Sequence, residues 1–434
     1  MNKLPGRIKM LFSQLLFEFV PSLKQQKWLV AVWGLVFIGG LKDYLKRAGD
    51  LQIYVEMGEV VLRGGNIYRD LRYGLVGAWP PIYSLFCVPL ALFVRVTSFP
   101  ALRLVWVMIL LGSLYLTARK LFPVAFGKPF ALVPRRGALS PGSPEVFVPL
   151  LLTIVFLNDN FKFLQVNIIL LAVVVLGLDL IGRNRDINGG ILLGLAASLK
   201  IIPGIFLPYL LYRRRWVAAI SCGSSLILFS IFPALIFGWH KFAGYAASWP
   251  EAVGKGWGIN GNNQSLFAMC DRFFGQSGGF LSAFQLPPAF VSPSGKPVVQ
   301  IIYWAIIFLL LFAFVRSVPP RARVNRRFLM LEGAVLYLLA MLASPLAWRH
   351  YFIVLLAPIT LLYGWVRERK QFKYRDKTLY LVLLILVLVL PSPSGLFRNI
   401  LSTIWMNYSS VTFTALIIFF LGLWARGSME VSKK

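Results

Sequence analysis

Cysteine is scarce: Cys87, Cys222 and Cys270 are the only three in 434 residues. All fall in or near apolar segments and none has C-x-x-C spacing, so neither a disulfide framework nor a zinc site is expected. Histidine is scarcer still, with two, His240 and His350. Acidic residues number 16 against 45 Lys plus Arg, a formal net charge of +29. That imbalance raises nucleic acid as a partner. The basic residues, however, lie in short clusters between apolar runs, and no RNA- or DNA-binding module is visible. Nucleic acid is therefore set aside, and the charge is read as that of membrane-flanking loops.

What is abundant is apolar. Hydrophobic residues make up 58% of the chain and aromatics 15%, with a mean hydropathy of +0.71. This is too much apolar surface for one soluble core, and it is grouped in runs of bilayer length. A soluble nucleotide-sugar enzyme is excluded, and an all-α polytopic membrane protein is expected. Twelve spans are placed near 28–45, 82–97, 101–118, 147–157, 166–181, 189–212, 216–238, 298–316, 328–344, 350–366, 378–390 and 410–425. Residues 1–27 read as a retained basic cytoplasmic lead lying on the membrane surface, 28–425 as the membrane domain and 426–434 as a cytoplasmic tail.

Charge assigns the sides. Arg213-Arg214-Arg215, the arginines from Arg316 to Arg327, the run from Arg367 to Lys377 and Lys433-Lys434 mark cytoplasmic loops. Counting crossings from a cytoplasmic N-terminus puts Lys46 to Pro80 outside, but it also puts the basic stretch Arg119 to Arg136 outside, against the charge rule. One crossing between 81 and 212 is thus in question. Segment 189–212, with Lys200 and Pro203 at its middle, reads as either a broken helix or a hairpin tip.

Two outer connections, 46–81 and 239–297, are too long for turns and rich in Trp and Tyr, which places folded structure and the active face on that side. In the first, Asp50 and Tyr54 share a helix face at four-residue spacing; a carboxylate where a membrane helix hands over to a loop is a candidate catalytic group, and a helix N-cap is the structural alternative. In the second, the amides Asn260, Asn262, Asn263 and Gln264 suit sugar hydroxyls, or else form a solvated turn with an N-cap at Asn262 or Asn263. Arg272 can meet a phosphate or pair with Asp271. Arg349 and His350 make an anion site between two spans, where an interfacial structural His is the alternative. Lys200 lies too deep in its apolar segment to snorkel and calls for an anionic partner. Gln165 and Asn167 put hydrogen-bonding groups at the mouth of a span, as ligands or as helix–helix contacts.

The order of these signals is more specific than any one of them. Asp50…Tyr54…Gly64-Gly65…Tyr68…Trp79-Pro80-Pro81, then Gln165-Val166-Asn167, Leu195 to Pro203 with Arg213 to Trp216 behind it, Asn263-Gln264-Ser265-Leu266…Arg272, and Ser344-Pro345-Leu346-Ala347-Trp348-Arg349-His350-Tyr351 resemble glycosyltransferase family 87 over about residues 50–360. The resemblance implies a GT-C type helical bundle that transfers a hexose, typically mannose, from a polyprenyl-phosphate donor to a lipid or glycan acceptor at the outer face of the cytoplasmic membrane. It implies Asp50 as base and His350 facing the donor phosphate. Two positions depart from the family pattern: Pro203 does not follow Lys200 directly, and Arg349 stands before His350 where a small or acidic residue is usual. Chemically, Lys200, Arg272, Arg349 and His350 are the cations available to a departing phosphate, and an inverting transfer needs one carboxylate base. With those cations no cofactor or metal is required. The chain's remaining partners would be membrane lipids. A transporter or flippase of lipid-linked sugars is the rival class, disfavoured by the long outer loops and the lack of inverted-repeat symmetry, and a non-catalytic envelope scaffold is a third option.

Overall fold

The computed structural model describes residues 26–28, 31, 34, 49–71, 79–255, 263–275, 296–320, 324–368 and 409–431. The expected span at 378–390, most of that at 28–45 and most of the basic lead lie outside them. The described elements are helical, as expected for an all-α membrane protein. Among the described residues five helices are long and apolar enough to cross a bilayer: Phe99–Phe126, Trp216–Phe237, Val298–Ser317, Arg349–Glu368 and Ser410–Ser428. A sixth is made of two pieces, Pro144–Leu152 and Ile154–Lys162, bent by 64°. The twelve continuous spans expected from hydropathy are therefore not reached among the described residues. Several apolar runs form shorter helices, because buried segments read as apolar all round whether or not they cross.

Helix α1 (Gly49–Leu62) and α2 (Tyr83–Val96) lie side by side and run in the same direction. Tyr54 faces Tyr83 and Phe86, the backbone at Gly58 presses on Cys87 and Ala91, and Glu59 pairs with Arg95. A Cβ at Gly58 would collide with the Cys87 carbonyl, so glycine permits this approach. Helix α3 (Phe99–Phe126) then returns past them. It is capped by Ser98, whose hydroxyl accepts the Ala101 N–H at 3.3 Å, and leaves Leu104, Val105, Met108 and Ile109 exposed on its outer surface. Its 28 residues span about 42 Å.

The bent pair α4 (Pro144–Leu152) and α5 (Ile154–Lys162) leads into α6 (Asn167–Gly182). Helix α7 (Asp186–Leu199) follows and breaks at Lys200, and a 3-10 turn at Ile202–Ile205 and α8 (Phe206–Tyr212) turn back. Of the two readings of 189–212, a broken helix or a hairpin tip, the structure shows the hairpin, whose ends meet at Asp186 and Arg215. Helix α9 (Trp216–Phe237) packs closely on α7 because Gly190 and Gly194 leave no side chain between the backbones. The rest comprises α10 (Trp239–Lys255), α11 (Leu266–Phe274), α12 (Lys296–Ser317), α13 (Arg326–Leu342), a 3-10 stretch Arg349–Leu355 continuing into α14 (Leu356–Glu368), and α15 (Ser410–Val431).

Ion pairs mark one end of the bundle. Asp179 near the end of α6 gathers Lys120 of α3 (3.6 Å), Arg183 (3.0 Å) and Arg326 of α13. Buried Glu332 bonds Arg426 at 2.5 Å and the Tyr209 hydroxyl at 2.8 Å, while Arg367 reaches Glu145 at 3.4 Å. Lys120 therefore sits at the same end as Arg183, Arg326 and Arg367. This corrects the sidedness count: α2 runs alongside α1 instead of crossing, so the Arg119–Arg136 stretch falls with the other basic loops, as the charge rule requires. At the opposite end the two long connections meet. Asn66 Nδ2 donates to Ser248 Oγ at 3.2 Å, and the Tyr245 hydroxyl donates to the Gly65 carbonyl at 3.2 Å.

Thiol labelling checks this arrangement. In a background without the three native cysteines, Arg63→Cys should react with an impermeant reagent added outside, whereas Arg135→Cys and Arg185→Cys should not. Labelling of Arg135→Cys from outside would restore the twelve-span count.

Candidate active site

The end opposite the basic loops carries the candidate site groups Asp50, Lys200 and His350. Asp50 sits in the first turn of α1, seated by Gly49 at φ +53°, where a Cβ would stand 2.5 Å from the Phe163 carbonyl oxygen. The Asp50 amide donates to that same carbonyl at 2.9 Å. Its carboxylate does not cap the helix; Oδ2 accepts from Gln165 Nε2 at 2.5 Å. Burial pushes the Asp50 carboxyl up to about 6, against the opposing pull of the Gln165 hydrogen bond and the Lys200 charge.

Gln165 owes its place to a sharp turn after α5. Leu164 adopts a positive φ of 51°, and Trp106 Nε1 donates to its carbonyl at 2.9 Å, pinning the turn to α3. Asn167 follows at the start of α6, its Nδ2 reaching Asn160 Oδ1 at 3.2 Å and Gln165 Oε1 at 3.5 Å. Lys200, at the break after α7, donates to Asn167 Oδ1 at 2.8 Å and holds its ammonium 3.1 Å from the Tyr351 ring centroid. No carboxylate among the described residues pairs with it at ion-pair distance. The His350 ring packs beside Tyr351 (4.8 Å between centroids) and Phe163 (5.9 Å), and its backbone carbonyl accepts from Asn160 Nδ2 at 2.7 Å. Asp50, Gln165, Asn167, Lys200 and His350 thus form one constellation on four separate segments.

The other candidates have different surroundings. Arg349 is held by buried Asp159, with Nη2 2.7 Å from Oδ1 and Nε on Oδ2, so its charge is matched within the protein. Tyr54 is fully buried among Trp79, Tyr83, Phe86 and Trp106, and its hydroxyl has no hydrogen-bond partner among the described residues. Asn263 and Gln264 do not reach Asp50. Asn263 donates to the Pro345 carbonyl at 3.1 Å and accepts from the Ala347 amide at 3.0 Å. Gln264 Oε1 accepts from the Val411 amide at 3.3 Å. Arg272 donates to the Asn263 carbonyl, with Nη1 at 3.1 Å. Together these residues staple the α11 segment to the loop that carries Trp348, Arg349 and His350. Ser265, not Asn262 or Asn263, caps α11, accepting the Ala268 amide at 3.0 Å.

Sequence reasoning missed Asn160, Asp159 and Tyr351. A signal was available for two of them: Asn158-Asp159-Asn160 is a polar run at the end of an apolar segment, in a chain with only 16 acidic residues. Among the described residues no three His, Cys, Asp or Glu side chains come together as a metal-binding group.

Comparison with known proteins adds relatives. A polyprenol-phosphate-mannose-dependent alpha-(1-2)-phosphatidylinositol mannoside mannosyltransferase of Mycolicibacterium smegmatis is 25% identical over 214 residues, 47% of this chain and 45% of that protein. A protein of the same description from Mycobacterium tuberculosis is 26% identical over 170 residues, 38% of each chain. The similarity thus spans about half the length of these curated relatives, or less. No solved structure matches. The family model of glycosyltransferase family 87 matches residues 78–345, a segment that holds Gln165, Asn167, Lys200, Asn263, Gln264 and Arg272 and stops short of Asp50, Arg349 and His350. That match covers more than half of the 434 residues, and the chain belongs to glycosyltransferase family 87.

Proposed function

We propose that this chain transfers a hexose, mannose by preference, from a polyprenyl-phosphate donor to a lipid or glycan acceptor, with inversion, on the non-cytoplasmic face of the cytoplasmic membrane. One observation carries the proposal. A carboxylate with raised proton affinity and a lysine that no carboxylate among the described residues meets at ion-pair distance stand at the same end of the bundle, opposite the basic loops.

Asp50 removes the proton of the acceptor hydroxyl. A base with a pKa near 6 is ionised at neutral pH yet holds a proton more strongly than an ordinary carboxylate, which suits general-base work. Lys200, with His350 beside Tyr351, takes the charge developing on the departing lipid phosphate. Arg349, Asn263, Gln264 and Arg272 act indirectly, holding the segment that presents His350. Tyr54 and its aromatic neighbours fix the angle of α1 behind Asp50. Relatives that depend on polyprenol-phosphate-mannose, by their names, support the donor class.

The test is transfer by purified protein of radiolabel from polyprenyl-phosphate-mannose to a membrane lipid extract. kcat/KM for the donor should fall below about pH 6 with unit slope as Asp50 is protonated, since this profile reports the free enzyme. Movement of the labelled donor across vesicle membranes with no glycosylated product would instead assign transport. A flat profile between pH 5 and pH 8 would remove Asp50 as the titrating base.

A further inference from the structure

Gln165 and Asn167 are poor sugar ligands. They are only 3% and 4% exposed, and the hydrogen-bonding atoms of both amides have partners within the protein. Their orientation is informative. The Lys200 ammonium can only donate, so Asn167 must turn its oxygen toward Lys200 and its nitrogen toward Asn160 and Gln165. An ionised Asp50 can only accept, so Gln165 must turn its nitrogen toward Asp50 and its oxygen toward Asn167. The two charges at the ends therefore force both amides into one head-to-tail direction. Lys200 donates to Asn167 (2.8 Å), Asn167 to Gln165 (3.5 Å) and Gln165 to Asp50 (2.5 Å).

Hydrogen bonds aligned in this way polarise one another, so a cation at the head makes the last N–H a better donor and favours the carboxylate at the tail. We propose that Gln165 and Asn167 are positioning residues that carry the charge state of the Lys200 ammonium to Asp50, so that engagement of the donor phosphate by Lys200 makes Asp50 a stronger base. This rests on the assignment of Asp50 and Lys200 given above. A phosphate that neutralises Lys200 removes the polarising cation, and the proton affinity of Asp50 rises only when a donor is in place. The base then gains strength when an acceptor hydroxyl has something to attack.

The other groups around Asp50 do not supply such a switch. Its own helix presents Tyr54, α2 presents Tyr83, the 3-10 stretch before α14 presents Tyr351, and the Phe163 carbonyl faces its amide. His350 faces Lys200 and carries Arg349 beside it, but Arg349 is already neutralised by Asp159. Lys200 is the one cation whose charge acts on Asp50 among the described residues, and the two amides are the hydrogen-bonded route between them.

The experiment follows the protonated Asp50 carboxyl by infrared difference spectroscopy, as the C=O band absent from Asp50→Asn. It uses the full-length protein in lipid nanodiscs, with and without an unglycosylated polyprenyl monophosphate. In the wild type the probe should raise the Asp50 midpoint by about one pH unit, a tenfold gain in proton affinity. Asn167→Leu and Gln165→Leu, each read at a probe concentration that saturates it, should shift Asp50 by less than about 0.3 unit. The two variants break different links, and Gln165→Leu leaves the Lys200–Asn167 bond intact, so failure of one to fold does not remove the test. A full shift in either variant, or no shift in a wild type that binds the probe, overturns the relay. Unchanged probe binding in Lys200→Met would instead overturn the phosphate assignment, and near-normal transfer by Asp50→Asn would overturn the base assignment.

Discussion

Asp50→Asn should lower turnover by about 10²-fold or more while donor binding survives. Asparagine keeps the size of the side chain and can accept from Gln165 through its own oxygen, but it cannot take a proton. The same substitution should stabilise the fold. Burial raises the Asp50 carboxyl from 3.8 to about 6, so the folded state prefers the protonated form. That preference is fully present below the unfolded value and is lost as pH rises through about 6, leaving an ionised group that costs up to about 3 kcal/mol at neutral pH. Thermal unfolding of Asp50→Asn against wild type should therefore show a gain that grows between pH 4 and pH 6 and levels off above. A residue kept at the expense of stability is what an active site predicts and what a helix cap does not, because Asn caps about as well as Asp. A variant with near-normal transfer and no stability gain would return Asp50 to a structural role.

The parts of the architecture legible in the sequence were those written in periodicity and charge. Apolar runs located α6, α9 and α12 closely and the start of α3 but not its end, and the depth of Lys200 with Pro203 three residues on marked the broken segment. The crossing of α2 was misread because Tyr83–Val96 is as apolar as a span. Only its parallel contact with α1, through Gly58, Cys87 and Ala91, shows that it does not cross. Within the site, Asp50 and Lys200 stood out because an ionisable group in an apolar setting is conspicuous. Arg349 and Arg272 were equally conspicuous, but their roles depend on partners 190 and 9 residues away, Asp159 and Asn263, which no local pattern reveals. The amide-rich run near Asn263 suggested hydroxyl ligands, whereas its hydrogen bonds close a loop onto Pro345 and Ala347.

Lys200→Met should weaken donor use by about 2–5 kcal/mol, read as the combined loss in donor affinity and turnover, because it removes a cation that no carboxylate among the described residues meets at ion-pair distance. The fold should tolerate the change. Methionine fills the path of the lysine stem and can rest its thioether on the Tyr351 ring. The lost hydrogen bond leaves Asn167 Oδ1 without its 2.8 Å partner, a penalty of about 1–3 kcal/mol, but the desolvation of an ammonium disappears with it. The melting temperature should therefore move little while activity falls by more than an order of magnitude. Arg349→Gln should behave in the opposite manner. It strands Asp159 without its ion pair, so it should lower stability first and affect donor use only through the displaced His350 segment. If Lys200→Met binds donor and turns over like the wild type, the ammonium belongs to the packing around Tyr351 and the donor phosphate must be met by other groups.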